Sequence, residues 1–338
     1  MGNAIPLLRV NNLRTKFFTE EGPLTAIDGV TFDVNEGETV GLVGESGCGK
    51  SVTALSILRL FKAHSGTQLE GEIYFRQKNL LTMSLAQIQK IRGNQISMIF
   101  QDPMTSLNPL YTIGNQIVES ITLHQNVNKK AAMEIAVNML ELVGIPSPQK
   151  RIKEYSHQLS GGMRQRVMIA MALACHPKLL IADEPTTALD VTIQAQILDL
   201  MMELQQQLNM GIILITHDLG VVAEVCTRVM VMYLGQIVEE CSVEKLFATP
   251  CHPYTVGLIQ SNPTLDGNRG KPLHVINGVV PSLYHIPDGC RFAPRCPHAD
   301  KQCWEQPPEM EVICAGHKVR CWHREKQNGD ETFCRLVT

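Results

Sequence analysis

"GESGCGKS", residues 44–51, follows the apolar run "ETVGLV" and precedes "SVTALSILRLF", whose apolar residues recur at helical spacing. A strand, a glycine-rich turn and a helix in that order build a site for anions. Glycines let the backbone curl without Cβ clashes, so successive N–H groups point inward, and the helix N-terminus adds positive potential. The stretch fits G-x-x-x-x-G-K-[ST], with Gly44, Gly49, Lys50 and Ser51 at the required places. On this reading Gly44, Glu45, Ser46, Gly47, Cys48, Gly49, Lys50, Ser51 and Val52 wrap a nucleotide's phosphates. Lys50 reaches the β and γ phosphates, and the Ser51 hydroxyl completes the shell of a Mg²⁺ ion.

The surrounding chain suits such a site. Short apolar runs, "ETVGLVG", "KLLIADE", "GIILITH" and "RVMVMYL", alternate with helical patterns up to about residue 245, as a mostly parallel α/β sheet requires. In "DVTIQAQILDLMMELQQQLN" the residues Ile193, Ile197, Leu200, Met201, Leu204 and Leu208 predict a helix packed on the sheet. A stretch of helix formers, about 87–170, predicts an inserted helical subdomain. "KLLIADE" delivers Asp183 and Glu184 at the tip of a buried strand, Asp183 as a Mg²⁺ ligand and Glu184 as the group that polarises the attacking water.

With 338 residues, 44% hydrophobic and 19% charged, the chain has the composition of an ordinary globular protein large enough for two domains. Lys+Arg 30 against Asp+Glu 33, a net charge of -3 and no basic run argue against a nucleic-acid partner. No stretch reaches the roughly 20 apolar residues of a spanning helix, and the N-terminus lacks the order of a secretory signal. A soluble protein of the cytosol is expected.

Between the two phosphate motifs lies "LSGGMRQRV", residues 159–167, in which Ser160 and two glycines, Gly161 and Gly162, open a helix. Here the sequence resembles the ATP-binding-cassette ATPases, whose signature is LSGGQ; Met163 stands where glutamine is commonest. The resemblance covers about residues 5–245 through six motifs in order. It implies a P-loop NTPase fold with an inserted helical subdomain. It also implies that two cassettes stack head to tail, one subunit's Ser160–Gly162 closing on the other's ATP. By the same resemblance Gln101 in "MIFQDP" lies near Mg²⁺ at the hinge to the helical subdomain, and Asp190, ending "ALD", crosses the dimer interface. His217 in "LITHD" contacts the γ-phosphate, and Phe17 stacks on adenine, with Phe18 as the alternative. With Lys50, Glu184 and His217 all in place, hydrolysis of ATP is expected.

Of eleven cysteines, Cys48, Cys175, Cys226, Cys241 and Cys251 are scattered, while the rest crowd into 290–334. "GCRFAPRCPHADKQCW" and "VRCWH" place Cys290, Cys296, Cys303 and Cys321 as soft ligands for zinc or an iron–sulfur cluster, at gaps wider than the usual paired cysteines of structural zinc. Pro297 after Cys296 matches a ferredoxin-type Cys-Pro step. This region, with "CHPYT" at 251–255, resembles the C-terminal region of dipeptide and oligopeptide importer ATPases. The resemblance implies a [4Fe–4S] cluster on these four cysteines, with zinc as the alternative metal and Cys314 as the alternative fourth ligand. Cys334 is spare. A loop-rich segment needs a staple, so a structural role is favoured over redox sensing.

The expected division is an ATPase domain over 1–245 and a cysteine-rich extension over 246–338. The resemblance further implies a peripheral protein on the cytoplasmic face of the membrane. Its implied partners are a second, different cassette, two transmembrane permease subunits and, indirectly, an extracytoplasmic peptide-binding protein. The competing readings are a non-transport cassette ATPase and a cluster-based redox regulator. Absence of heptads between Lys50 and Asp183 argues against the DNA-tethering type, and intact Glu184 and His217 argue against the regulator. The cargo is not legible.

Overall fold

The computed structural model describes residues 5–61, 66–102, 106–187, 189–262 and 275–323. The described residues form two compact units, each assembled from separate segments: one lies within 9–32, 40–73 and 216–323, the other within 5–8, 33–39 and 74–215.

The second of these is built on three parallel strands. Ile96–Ile99 pairs with Leu179–Asp183, which pairs with Gly211–Thr216. Every residue of the last two strands is buried, which is why they read in the sequence as unbroken apolar runs rather than as alternation. Helices Ile113–His124, Lys129–Leu142 and Gly161–Leu173 pack on one another. Thr112, Asn128 and Ser160 cap them, each side-chain oxygen accepting from the backbone N–H three residues on. Before these three helices the same stretch holds helix Leu85–Gln89 and then strand Ile96–Ile99. "ISMI", four residues of a parallel sheet, three of them buried, among helix formers, is too short to show a period of its own.

Helix Val191–Leu208 starts at Asp190, whose side chain accepts from the Ile193 N–H at 3.0 Å. It stops at Asn209, held in the left-handed region at φ 46°. Its buried face is Ile197, Leu198, Met201 and Leu204; Leu198 replaces the expected Leu200, and Ile193 and Leu208 are only half-buried.

In the other unit, Thr39–Val43 runs parallel to Arg228–Tyr233. A tight turn through Leu234 and Gly235, both at positive φ, reverses the chain into Gln236–Ser242, antiparallel to its predecessor. The C-terminal region continues this sheet: His317–Val319 pairs with Gln236–Ser242, and Glu311–Cys314 pairs outside it. Two buried carboxylates fasten that edge. Glu239 accepts the N–H groups of Cys251 at 2.7 Å and His252 at 2.9 Å, with His317 Nε2 at 2.8 Å. Glu240 pairs with Arg228 and, at 3.1 Å, with Lys318. The described part of the tail thus belongs to the same compact unit as the phosphate loop. The reason is this shared sheet, which a composition change near 245 does not reveal.

Candidate ATP site and cysteine cleft

The phosphate loop leaves the end of Thr39–Val43, whose five residues are all buried. Gly44 takes φ 154°, and a Cβ there would stand 2.2 Å from the Met232 carbonyl oxygen. Gly49, at φ 110°, would press a Cβ to 2.8 Å from Ile27 and 3.0 Å from the Ala26 carbonyl. Only glycine fits either place. Helix Lys50–Ile57 begins with no side chain capping its N-terminus and no acidic residue in its first turn, so its leading N–H groups are left for an anion. Lys50 is 6% exposed, and its Nζ donates to the carbonyls of Gly44 at 2.7 Å and Glu45 at 3.0 Å. A cation held across a glycine cradle at an uncapped helix end is a donor set that fits a triphosphate. Ser51, next along the helix, is half-buried.

Phe17 is half-buried and meets Phe61 edge-on at 5.5 Å, whereas Phe18 is 55% exposed. Thr15, two residues before Phe17 on the same strand, bonds Ser56 of the phosphate-loop helix at 2.8 Å. Strand alternation therefore puts Phe17 on the face toward that helix and Phe18 on the other. His217 is exposed just after Gly211–Thr216. It lines one cleft with Val43, Gly44 and Glu45 and, from the C-terminal region, Leu258, Asn262 and Ile276.

In the other unit, Asp183 is 4% exposed at the tip of its strand. Glu184 follows at φ 47°, a conformation a non-glycine residue adopts at a cost of about 1–3 kcal/mol. Its Oε2 accepts from Gln101 Nε2 at 2.8 Å and from Thr187 Oγ1 at 2.8 Å. Gln101 is thus brought to Glu184; Thr187 is a partner the sequence did not suggest. Ser160 and Gly161 are exposed where helix Gly161–Leu173 begins. A Cβ on Gly162 would meet Ile193 at 3.0 Å, but one on Gly161 would meet only Leu189, at 4.0 Å. Asp190 is spent as a helix cap.

Cys290, Cys296, Cys303 and Cys321 line a single cleft with His252, Phe292 and Trp322. Burial pushes all four thiols up, Cys296 to about 11 and Cys321 to about 12; neighbouring sulfurs add to the rise in Cys290, Cys296 and Cys321, and the Asp300 carboxylate adds to it in Cys303. Four sulfurs sharing an apolar cleft disfavour one another's thiolates, and a bound cation is what relieves that. Cys314 lies elsewhere, 3.6 Å from Lys245 Nζ, and Cys334 falls outside the described residues.

Residues beyond the motifs complete the loop's surroundings. The Tyr254 hydroxyl accepts the Glu45 N–H at 2.8 Å. Arg295 grips the Glu45 carboxylate with both terminal nitrogens, at 2.6 and 3.0 Å. Nothing local in the sequence marks these partners; the one available signal was "CHPYT", which fixes Tyr254.

A glycine-rich loop at an uncapped helix end, a Ser-Gly-Gly helix start and an acid-tipped buried strand on one α/β chain define an ATP-binding-cassette ATPase. The family described as "ABC transporter" matches residues 27–187, and "Oligopeptide/dipeptide transporter, C-terminal region" matches 238–303. The chain is 54% identical to the oligopeptide transport ATP-binding protein AppD of Bacillus subtilis (strain 168), over 96% of this chain and 99% of that one. It is 50% identical to the dipeptide transport ATP-binding protein DppD of the same organism, over 95% and 96% of the two chains. Among solved structures it resembles the ATP-binding cassette MJ0796, a dimer in a post-hydrolysis state bound to ADP and Pi. That match has TM-score 0.63 and 27% identity, covering 70% of this chain and 98% of that one. This chain belongs to the family of ATP-binding subunits of oligopeptide and dipeptide ABC transporters.

Proposed function

We propose that the chain hydrolyses ATP to power peptide import through two separate permease subunits, fed by an extracytoplasmic peptide-binding protein. The cassette proper is 1–245, with its helical insertion inside 87–170, and 246–338 is the extension. Gly44 to Val52 enclose the phosphates, Lys50 neutralises the β and γ groups, and Phe17 supports adenine. Ser51, Gln101 and Asp183 hold Mg²⁺, which when bound offsets phosphate charge and orients the leaving group. Glu184 accepts the proton of the attacking water and His217 donates to the γ-phosphate. Ser160, Gly161 and Gly162, with Asp190 beside them, face the ATP of a second cassette, a different chain of the same family. Among the described residues no helix is long and apolar enough to cross a membrane; the subunit is proposed to be peripheral, held at the cytoplasmic face by the permeases.

The observation that carries this reading is the Glu184 carboxylate, fixed at the end of a buried strand by Gln101 and Thr187. With the assembled transporter in vesicles, ATP turnover is expected to rise several-fold when peptide-loaded binding protein is added. Turnover indifferent to peptide would overturn the import reading and favour a non-transport cassette.

The cysteine cleft is proposed to hold a [4Fe–4S] cluster through Cys290, Cys296, Cys303 and Cys321. Around one tetrahedral zinc, four thiolates at about 2.3 Å lie about 3.8 Å apart. Here the four sulfurs share one cleft with Phe292 and Trp322, and the Cys-Pro step at Cys296–Pro297 is the feature that favours a multi-iron core. Such a group, when bound, would supply cross-links that staple a loop-rich segment. Protein purified without oxygen is expected to be brown, with broad absorption near about 400 nm. Cys321→Ser should lose the colour and Cys314→Ser keep it. Colourless protein carrying one zinc would refute the cluster.

A further inference from the structure

The seven residues "CRFAPRC", 290–296, begin and end on a thiol of the cleft and carry two arginines between them. Arg295 bonds the phosphate loop directly, and Arg291 bonds the turn that braces it. Arg295 is 8% exposed, and its guanidinium is fully engaged. Two nitrogens clasp the Glu45 carboxylate, and Nε donates to the Asn277 carbonyl at 3.1 Å. Its flat face lies 5.9 Å from the Tyr233 ring centre and 6.0 Å from that of Phe292. Arg291 donates to Asp28 and to the Leu234 carbonyl; the next residue, Gly235, gives its N–H to the Cys48 carbonyl of the loop at 2.8 Å. Tyr254, fully buried against Tyr233 and Phe292, takes the Glu45 N–H.

Glu45 raises a problem that this arrangement solves. It places a carboxylate in a loop whose ligand is a polyanion, and like charges at close range repel by several kcal/mol at low dielectric. A planar, permanently charged, bidentate partner cancels that charge and fixes the loop's backbone at once. From this geometry we infer that Arg295, assisted by Tyr254, is a positioning residue for the phosphate loop, and that the C-terminal cysteine segment is a working part of the ATP site. The inference rests on Gly44–Ser51 being the phosphate-binding loop, as proposed above. Because binding linkage is reciprocal, whatever orders residues 290–296 also tunes nucleotide affinity.

The test uses the full chain and the Kd of a fluorescent ATP analogue with Mg²⁺, alongside KM and kcat for ATP, metal content and far-UV circular dichroism. Arg295→Ala is expected to raise Kd and KM about tenfold, the loss typical of one charge-assisted pair, with kcat at saturating ATP within about twofold. Arg295→Lys, which keeps the charge but not the fork, should lie between. The double variant Glu45→Gln/Arg295→Ala should recover to within about threefold of the parent, because the uncompensated carboxylate is gone; a merely structural arginine would show no such rescue. Tyr254→Phe deletes one hydroxyl and should raise Kd about threefold, which keeps the test open if Arg295→Ala fails to fold. Lys50→Ala separates the two claims: parental binding in that variant would refute the loop, not Arg295. Parental Kd in Arg295→Ala and Tyr254→Phe, with Lys50→Ala impaired, would overturn the inference, as would additive losses in the double variant.

Discussion

Glu184→Gln is expected to lower ATP turnover by at least about 100-fold while ATP binding stays within a few-fold of the parent. The exchange keeps the side chain's size and leaves an oxygen to accept from Gln101 Nε2 and Thr187 Oγ1, so the strained backbone at φ 47° has no new reason to move. What disappears is the carboxylate's ability to take a proton from water. If two cassettes close on ATP as proposed, they should stay closed on the uncut nucleotide, and size-exclusion chromatography with ATP and Mg²⁺ should show a dimer that is longer-lived than in the parent. Turnover within about tenfold of the parent would remove Glu184 from the chemistry.

Gly161→Ala separates folding from catalysis. A methyl group there meets nothing in its own chain nearer than Leu189 at 4.0 Å, and Ser160 still caps the helix. Alanine also costs the unfolded chain entropy, so the fold should gain about 0.5 kcal/mol. Turnover is nevertheless expected to fall about 100-fold, because in the proposed two-cassette site the methyl would occupy the surface that the γ-phosphate of ATP bound to the second cassette must approach. At Gly162 the outcome differs: Ile193 stands 3.0 Å from the added carbon, so Gly162→Ala disturbs the chain's own packing as well. Parental turnover in a stable Gly161→Ala chain would mean that nothing docks at Ser160–Gly162.

Much of this was legible because phosphate chemistry demands fixed residue types at short spacing. Gly44, Gly49 and Lys50 lie within seven residues of one another, and their geometry follows from backbone sterics alone. Parallel strands such as Leu179–Asp183 announce themselves because both faces are buried. Ile96–Ile99 did not, since four residues between helix formers carry no readable period. The tail's attachment was not legible for another reason: its composition changes near 245, while His317–Val319 and Glu239 join it to the sheet through contacts distant along the chain. The Arg295–Glu45 pair has the same character, for neither residue carries a local mark of the other. Tyr254 was visible only as part of "CHPYT", without its hydrogen bond to the loop. Sequence periodicity reports local burial; it is silent on which distant side chains meet.

ATP turnover per chain, measured across a dilution series of the purified protein, addresses the two-chain site most directly. If Lys50 and Glu184 of one cassette need Ser160–Gly162 of another, the rate per chain must fall on dilution and return when a partner cassette is added. A rate per chain that stays constant and high however dilute the protein becomes would contradict it.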